Sequence, residues 1–126
     1  MKHKVLSASL NTSIVLMILF NCCCFCTTIY GRSMQPILEN ESVHLFTRFK
    51  KPEVGDIVVF SAPCEEGEYY VKRVAAGPGE TVEYLGQQIT LGQDEFFVLG
   101  DNRAVSNDSR FFGPIDGGSV VGVMIL

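Results

Sequence analysis

The chain is poor in histidine, holding only His3 and His44. Neither has a neighbour at metal-ligand spacing, so neither a metal nor any other cofactor is expected. The same scarcity excludes a Ser-His-Asp triad, because His3 lies at the N-terminal tip and His44 stands alone. Disulfide scaffolding is also excluded. Cys22, Cys23, Cys24 and Cys26 fall inside an apolar run, where thiols behave as small hydrophobes. That leaves Cys64 as the one cysteine beyond the run, with nothing to pair with. Positive charge is scarce as well. Residues 31–126 carry eight basic and fourteen acidic side chains, a formal charge of 8 − 14 = −6. Nucleic-acid binding needs a basic footprint, which this composition does not supply. No stretch keeps a 3.6-residue apolar period, and there is no internal repeat or low-complexity tract.

What the chain does contain starts with a long uncharged segment. After the basic tip Met1-Lys2-His3-Lys4, no charged residue appears from Val5 to Tyr30, and the centre reads "IVLMILFNCCCFC". Such a segment is long enough for a helix across a hydrocarbon core about 30 Å thick. No small-x-small site closes the run, which favours a retained anchor over a cleaved signal peptide. Leu19-Phe20-Asn21-Cys22 is a poor fit to a lipoprotein box, since Phe20 and Asn21 stand where small residues are needed. Lys2 and Lys4 precede the span and only Arg32 follows it closely, so the N-terminus is expected in the cytoplasm and the rest outside. The division is therefore residues 1–30 as tip and anchor, and residues 31–126 as a single extracytoplasmic domain.

That domain reads as short strands: 42–46, 56–60, 69–74, 81–85, 87–91, 95–99 and 119–126. Turn residues separate them, among them Gly55, Pro63, Gly77-Pro78-Gly79, Gly86, Gly92, Gly100 and Gly113-Pro114. This spacing predicts an all-β barrel or sandwich.

Three stretches carry chemistry. In "EYYVKRVAAGPG", residues 68–79, a strand puts Tyr70, Lys72 and Val74 on one face and Val71 and Arg73 on the other. Lys72 then has two readings. It can lay its methylenes on the sheet and keep its amine in water. Alternatively it is desolvated, which lowers its pKa toward a value useful to a general base. In "YGRSMQPIL", residues 30–38, Gly31 permits unusual backbone angles and Pro36 stiffens the chain after Ser33. A serine pinned there can present hydroxyl and backbone N–H together, as a nucleophile with its own oxyanion donor requires. In "LGDNRAVSNDSRFFGPI", residues 99–115, Asp108 and Arg110 can form a charge-assisted pair that braces the loop, leaving Ser106 free to bond another group.

Taken together, these stretches resemble the type I signal peptidases, membrane-anchored serine proteases with a Ser-Lys dyad. "SMQP" resembles the nucleophile box, "GDIVVF" at 55–60 the strand box, "YYVKRVAAGPGE" the lysine box and "GDNRAVSNDSRFFG" at 100–113 the last box. The resemblance implies an N-terminal transmembrane helix followed by a small, largely antiparallel β-barrel or sandwich. It implies Ser33 as nucleophile and Lys72 as general base, with Ser106 orienting the lysine amine and Asp108 and Arg110 supporting it. Gly100, Asp101, Asn102 and Arg103 would scaffold that loop. Met34, Leu38, Tyr70 and Val71 would line a shallow apolar pocket for the small residues of an Ala-x-Ala cleavage site. Gly31 stands where some members carry a serine that helps hold the oxyanion. Ile37, Ala104 and Val105 also depart from the family pattern, and any additional recognition subdomain is reduced to a short loop. The implied activity is removal of signal peptides from exported preproteins by a monomer in contact with membrane lipid. The rival readings are a conjugation- or pilin-type processing peptidase, a self-cleaving regulator of the SOS-repressor type, and an inactive membrane-anchored β module.

Overall fold

In the computed structural model, the backbone of residues 2–126 and the side chains of residues 11–126 are described. Helix α1 spans Lys2–Cys23 and is followed by strand β1, Cys24–Ile29. The strands that follow are β2 (Ser42–Thr47), β3 (Ile57–Ser61), β4 (Tyr69–Ala76), β5 (Thr81–Tyr84), β6 (Gln87–Thr90) and β7 (Glu95–Leu99). A four-residue helix, α2 (Ser109–Phe112), precedes β8 (Ile115–Asp116) and β9 (Val120–Met124). Each strand expected from the sequence is present, with ends moved by a residue or two.

Seven strands form one sheet in the order β1-β2-β9-β3-β4-β7-β8, and β5 and β6 make a separate hairpin. Every pairing is antiparallel. The expected barrel does not close: β1 and β8 remain as the two edges of the sheet. Strand β8 is two residues long and lies between two prolyl or glycyl turns, too short to reach across to β1.

The apolar span expected over residues 5–30 is not one helix. Its last part becomes β1, which pairs with β2 from Cys24↔Thr47 to Ile29↔Ser42. The reason is local. Phe25, Thr27, Thr28 and Ile29 are aromatic or β-branched and favour extended backbone. Phe25 stacks on Phe46 with ring centroids 5.6 Å apart, a cross-strand contact that a helix could not make. At the junction, the Cys23 carbonyl accepts from the Arg48 N–H at 2.8 Å and from Thr47 Oγ1 at 3.3 Å. The end of α1 is thereby tied to the end of β2. Among the described residues, no helix is long and apolar enough to cross a membrane. The basic tip on which the expected orientation rests lies outside the described side chains.

Strand β3 explains the architecture. Ile57, Val58, Val59 and Phe60 are all buried, so apolar residues cover both faces of the sheet at its centre. Val58 and Phe60 join Val74, Phe96, Val98, Ile115 and Val123 on one side. Ile57 and Val59 join Ile29, Met34, Leu38 and Phe46 on the other. The segment between β1 and β2 is held across the second cluster by Met34 and Leu38, and this fixes the turn that carries Ser33.

Candidate active site

Strand β4 has the alternation that its sequence predicts. Lys72, Val74 and Ala76 are buried on one face, while Arg73 on the other face is half-buried. Lys72 is 5% exposed and opposite Val58 in the register. Its amine lies 2.9 Å from Ser33 Oγ and 3.0 Å from the Val71 carbonyl, and 5.2 Å from the centre of the Tyr70 ring. Burial lowers the Lys72 pKa from 10.5 to about 8, although the Asp108 carboxylate pulls it the other way. Holding the amine in this state costs the folded protein about 3 kcal/mol. One fully buried aromatic ring is worth about 3–5 kcal/mol, and Phe46 and Phe60 are both fully buried. The core can therefore carry the cost.

Ser33 reaches the amine because its turn is pinned at several points. Gly31 adopts φ +98° and donates its N–H to Asn40 Oδ1 at 2.7 Å. On the far side, the Asn102 N–H donates to the Ser33 carbonyl at 2.8 Å, and Asn102 Nδ2 donates to the Arg32 carbonyl at 3.1 Å. Asn102 thus grips two consecutive carbonyls of the turn, a contact between segments distant in sequence that its position in the motif does not reveal.

The 100–110 loop is braced by charge. Asp108 is fully buried. It accepts from Arg110 Nε at 2.8 Å and Nη2 at 3.1 Å, and from the Gly100 N–H at 3.0 Å. Burial alone would raise the Asp108 pKa, but the bonds from Arg110 and Gly100 outweigh it and hold the carboxyl below its ordinary value. Arg110 also donates to the Arg103 carbonyl at 2.8 Å. A second fork, absent from the sequence reading, joins Arg73 to Asp101 through two contacts of 2.8 Å. Arg73 donates as well to the Gly55 carbonyl at 2.8 Å, so β4 is fastened to both flanking loops just beyond Lys72.

Ser106 is buried close by, yet its hydroxyl has no hydrogen-bond partner among the described residues. The Lys72 amine bonds Ser33 and Val71 in its place, so the expected Ser106–Lys72 bond is not made in this arrangement. Gly100 passes so close that a Cβ there would overlap the Ser106 hydroxyl and lie 2.7 Å from the Ser33 carbonyl. Only glycine fits.

A cleft of about 330 Å³ opens over Ser33 and Lys72. Tyr70 and Val71 line it, as expected. Met34 and Leu38 do not: they are 2% and 3% exposed and belong to the core beneath. The opposite wall is built by Thr27, Thr28, Ile29 and Tyr30. Sequence reasoning missed these residues because it assigned them to the membrane span; the β-branched run Thr27-Thr28-Ile29 was the available signal. The free edge of β1 faces this cleft and offers backbone groups to an extended peptide.

A desolvated lysine amine bonded to a serine hydroxyl, beside an edge strand and a peptide-sized cleft, is equipped for acyl transfer. The chain belongs to the family described as signal peptidase, peptidase S26, which it matches over residues 3–94 and 90–126. It is similar to signal peptidase IB of Staphylococcus aureus, with 31% identity over 171 aligned positions covering 97% of this chain and 88% of the relative. It is also similar to mitochondrial inner membrane protease subunit 2 of Saccharomyces cerevisiae, 35% identical over 112 positions covering 77% of this chain. The chain spans 63% of that relative's length. A crystal structure of a signal peptidase I from Enterococcus faecalis superposes with a TM-score of 0.52 at 31% identity, covering 60% of this chain and 98% of that one. The fold is thus mainly antiparallel β and similar to that of a signal peptidase I.

Proposed function

We propose that the chain is a membrane-bound serine endopeptidase that removes N-terminal signal peptides from exported preproteins, cutting after small residues. The observation that carries this reading is the 2.9 Å approach of a buried lysine amine to Ser33 Oγ. In the neutral state, the Lys72 amine accepts the Ser33 proton as Oγ attacks the scissile carbonyl. The Ser33 N–H has no partner among the described residues and is free to donate to the developing oxyanion. The ammonium then gives its proton to the leaving amine, and the neutral lysine activates the water that hydrolyses the acyl-enzyme.

The substrate lies extended along the β1 edge, its small side chains against Tyr70, Val71 and Ile29 above the Met34–Leu38 floor. Asp108, held by Arg110, acts on Lys72 through its charge, and Ser106 bonds the Lys72 amine only during turnover, a contact not made in the resting arrangement. The chain acts as a monomer held by α1, with its N-terminus cytoplasmic and residues 31–126 outside. Support for the anchor comes from Ile14 to Phe20, whose apolar side chains are each at least 45% exposed. A run of seven apolar residues left uncovered is suited to lipid.

The test is cleavage of a purified preprotein by the wild type and by Ser33→Ala, with the cut site read by mass spectrometry. Cleavage by the wild type alone, after an Ala-x-Ala-like sequence, is the expected result. Equal cleavage by both proteins refutes the reading.

A further inference from the structure

The basic side chains of the domain are unevenly distributed. Three of its eight cations, Arg48, Lys50 and Lys51, fall within four residues, although the domain as a whole is acidic. All three are exposed, and Phe49 between them is 74% exposed. The loop leaves β2 where the Arg48 N–H bonds the last carbonyl of α1 at 2.8 Å, so the cluster stands beside the point where the apolar helix ends. It lines a cleft of about 460 Å³ that is separate from the one over Ser33. The far wall of this cleft is the glycine-rich approach to β9, with one carboxylate, Asp94. Lys50 is held by Asp56 at 2.7 Å. The Arg48 guanidinium lies over the Phe25 ring, 4.4 Å from its centre, and no ion pair engages Lys51 among the described residues.

We propose that the 48–51 loop is a docking surface for the anionic headgroups of the bilayer in which α1 sits, with Phe49 entering the headgroup region between its cationic neighbours. A polar rim of cations around one exposed aromatic matches the composition of interfacial anchors. Continuity with the end of α1 puts the loop at headgroup depth. The docked loop fixes how the sheet leans on the membrane, and therefore how the cleft over Ser33 meets a substrate emerging from the same bilayer. This inference rests on the reading of α1 as the anchor.

The chain contains no tryptophan, so Phe49→Trp introduces a single reporter. The full-length protein is reconstituted in vesicles of phosphatidylcholine, with and without phosphatidylglycerol. The expected result is a blue shift of the emission, and quenching by acyl-brominated lipid, only where phosphatidylglycerol is present. Arg48→Gln weakens the response about fivefold, the effect of one cation at an anionic surface, and Lys51→Glu, a change of two charges, weakens it about 30-fold. Salt at about 1 M, where the screening length is ~3 Å, removes it. Cleavage of a short peptide in detergent by Lys51→Glu stays at the wild-type rate.

An equal shift in both vesicle types, no shift in either, or a shift produced by inorganic phosphate without vesicles overturns the proposal. Flotation with phosphatidylcholine vesicles reports on α1 separately. If the chain does not float, the anchor reading fails; adding phosphatidylglycerol vesicles to that soluble protein still decides the loop by the same emission change. Loss of all cleavage, with the emission response intact, counts against the catalytic reading and leaves the docking surface supported.

Discussion

Lys72 Nζ and Ser33 Oγ lie 2.9 Å apart although 39 residues separate them in the chain. The contact depends on β3. That strand supplies Val58 opposite Lys72 on one face and Val59 to the cluster that buries Met34 on the other. The base is thus paired with one residue of this strand, and the turn bearing its partner is packed on the next. Their spacing is set by the core more than by the loop alone.

The first prediction concerns protonation. With the Lys72 pKa at about 8, the base is uncharged only above that pH. Peptide cleavage should rise with pH through about 8 and then level off. Lys72→Met and Lys72→Arg should both be inactive, the second because guanidinium stays protonated. A rate independent of pH from 5 to 9 would exclude a lysine base.

The same burial has a consequence for stability. The folded pKa lies below the unfolded value of 10.5, so the unfolded chain binds more protons between about 8 and 10.5, and wild-type stability rises with pH across that window. Below about 8, the folded protein bears the full desolvation cost. Lys72→Met should therefore be more stable than wild type by about 3 kcal/mol at pH 7, with the gap closing as pH approaches 10.5. Denaturant unfolding at both pH values measures this. A less stable Met variant at pH 7 would contradict the desolvated amine.

Asp108 gives a prediction of opposite sign. Its carboxylate favours the Lys72 ammonium, so Asp108→Asn should move the rising limb of the pH–rate profile to lower pH. Because its folded pKa is depressed, the stability it contributes is present at neutral pH and lost as pH falls through the folded value. Arg110→Ala, which leaves a buried carboxylate without its ion-pair partner, should destabilise by about 3 kcal/mol at pH 7. Urea midpoints for the two variants test the pair.

Gly100→Ala addresses positioning. The added methyl meets the Ser106 hydroxyl and the Ser33 carbonyl, so the nucleophile turn has to shift. A displacement approaching 1 Å lowers the rate about 100-fold. The fall should appear in kcat more than in KM, with Tm changed far less than by truncation of Phe46. Wild-type kcat in this variant would show that the turn is not held as described.

Much of the protein was fixed by local pattern. The alternation through 69–74 put Lys72 on the buried side, the turn residues delimited seven strands, and Gly31 with Pro36 marked the Ser33 turn. These features follow from backbone geometry and from the side-chain period of a strand, and they need no distant partner. Tertiary structure decided the rest, because the competing local forms were close in energy or the contact spanned distant segments. Residues 24–29 are apolar enough for a helix, and pairing with β2 made them a strand that walls the cleft. Met34 and Leu38, apolar beside the nucleophile, were drawn into the core by β3. The Arg73–Asp101 fork, the grip of Asn102 on Ser33, and the open sheet all depend on segments meeting across the fold, where burial and hydrogen-bond satisfaction of the whole chain choose between arrangements that each segment alone leaves open.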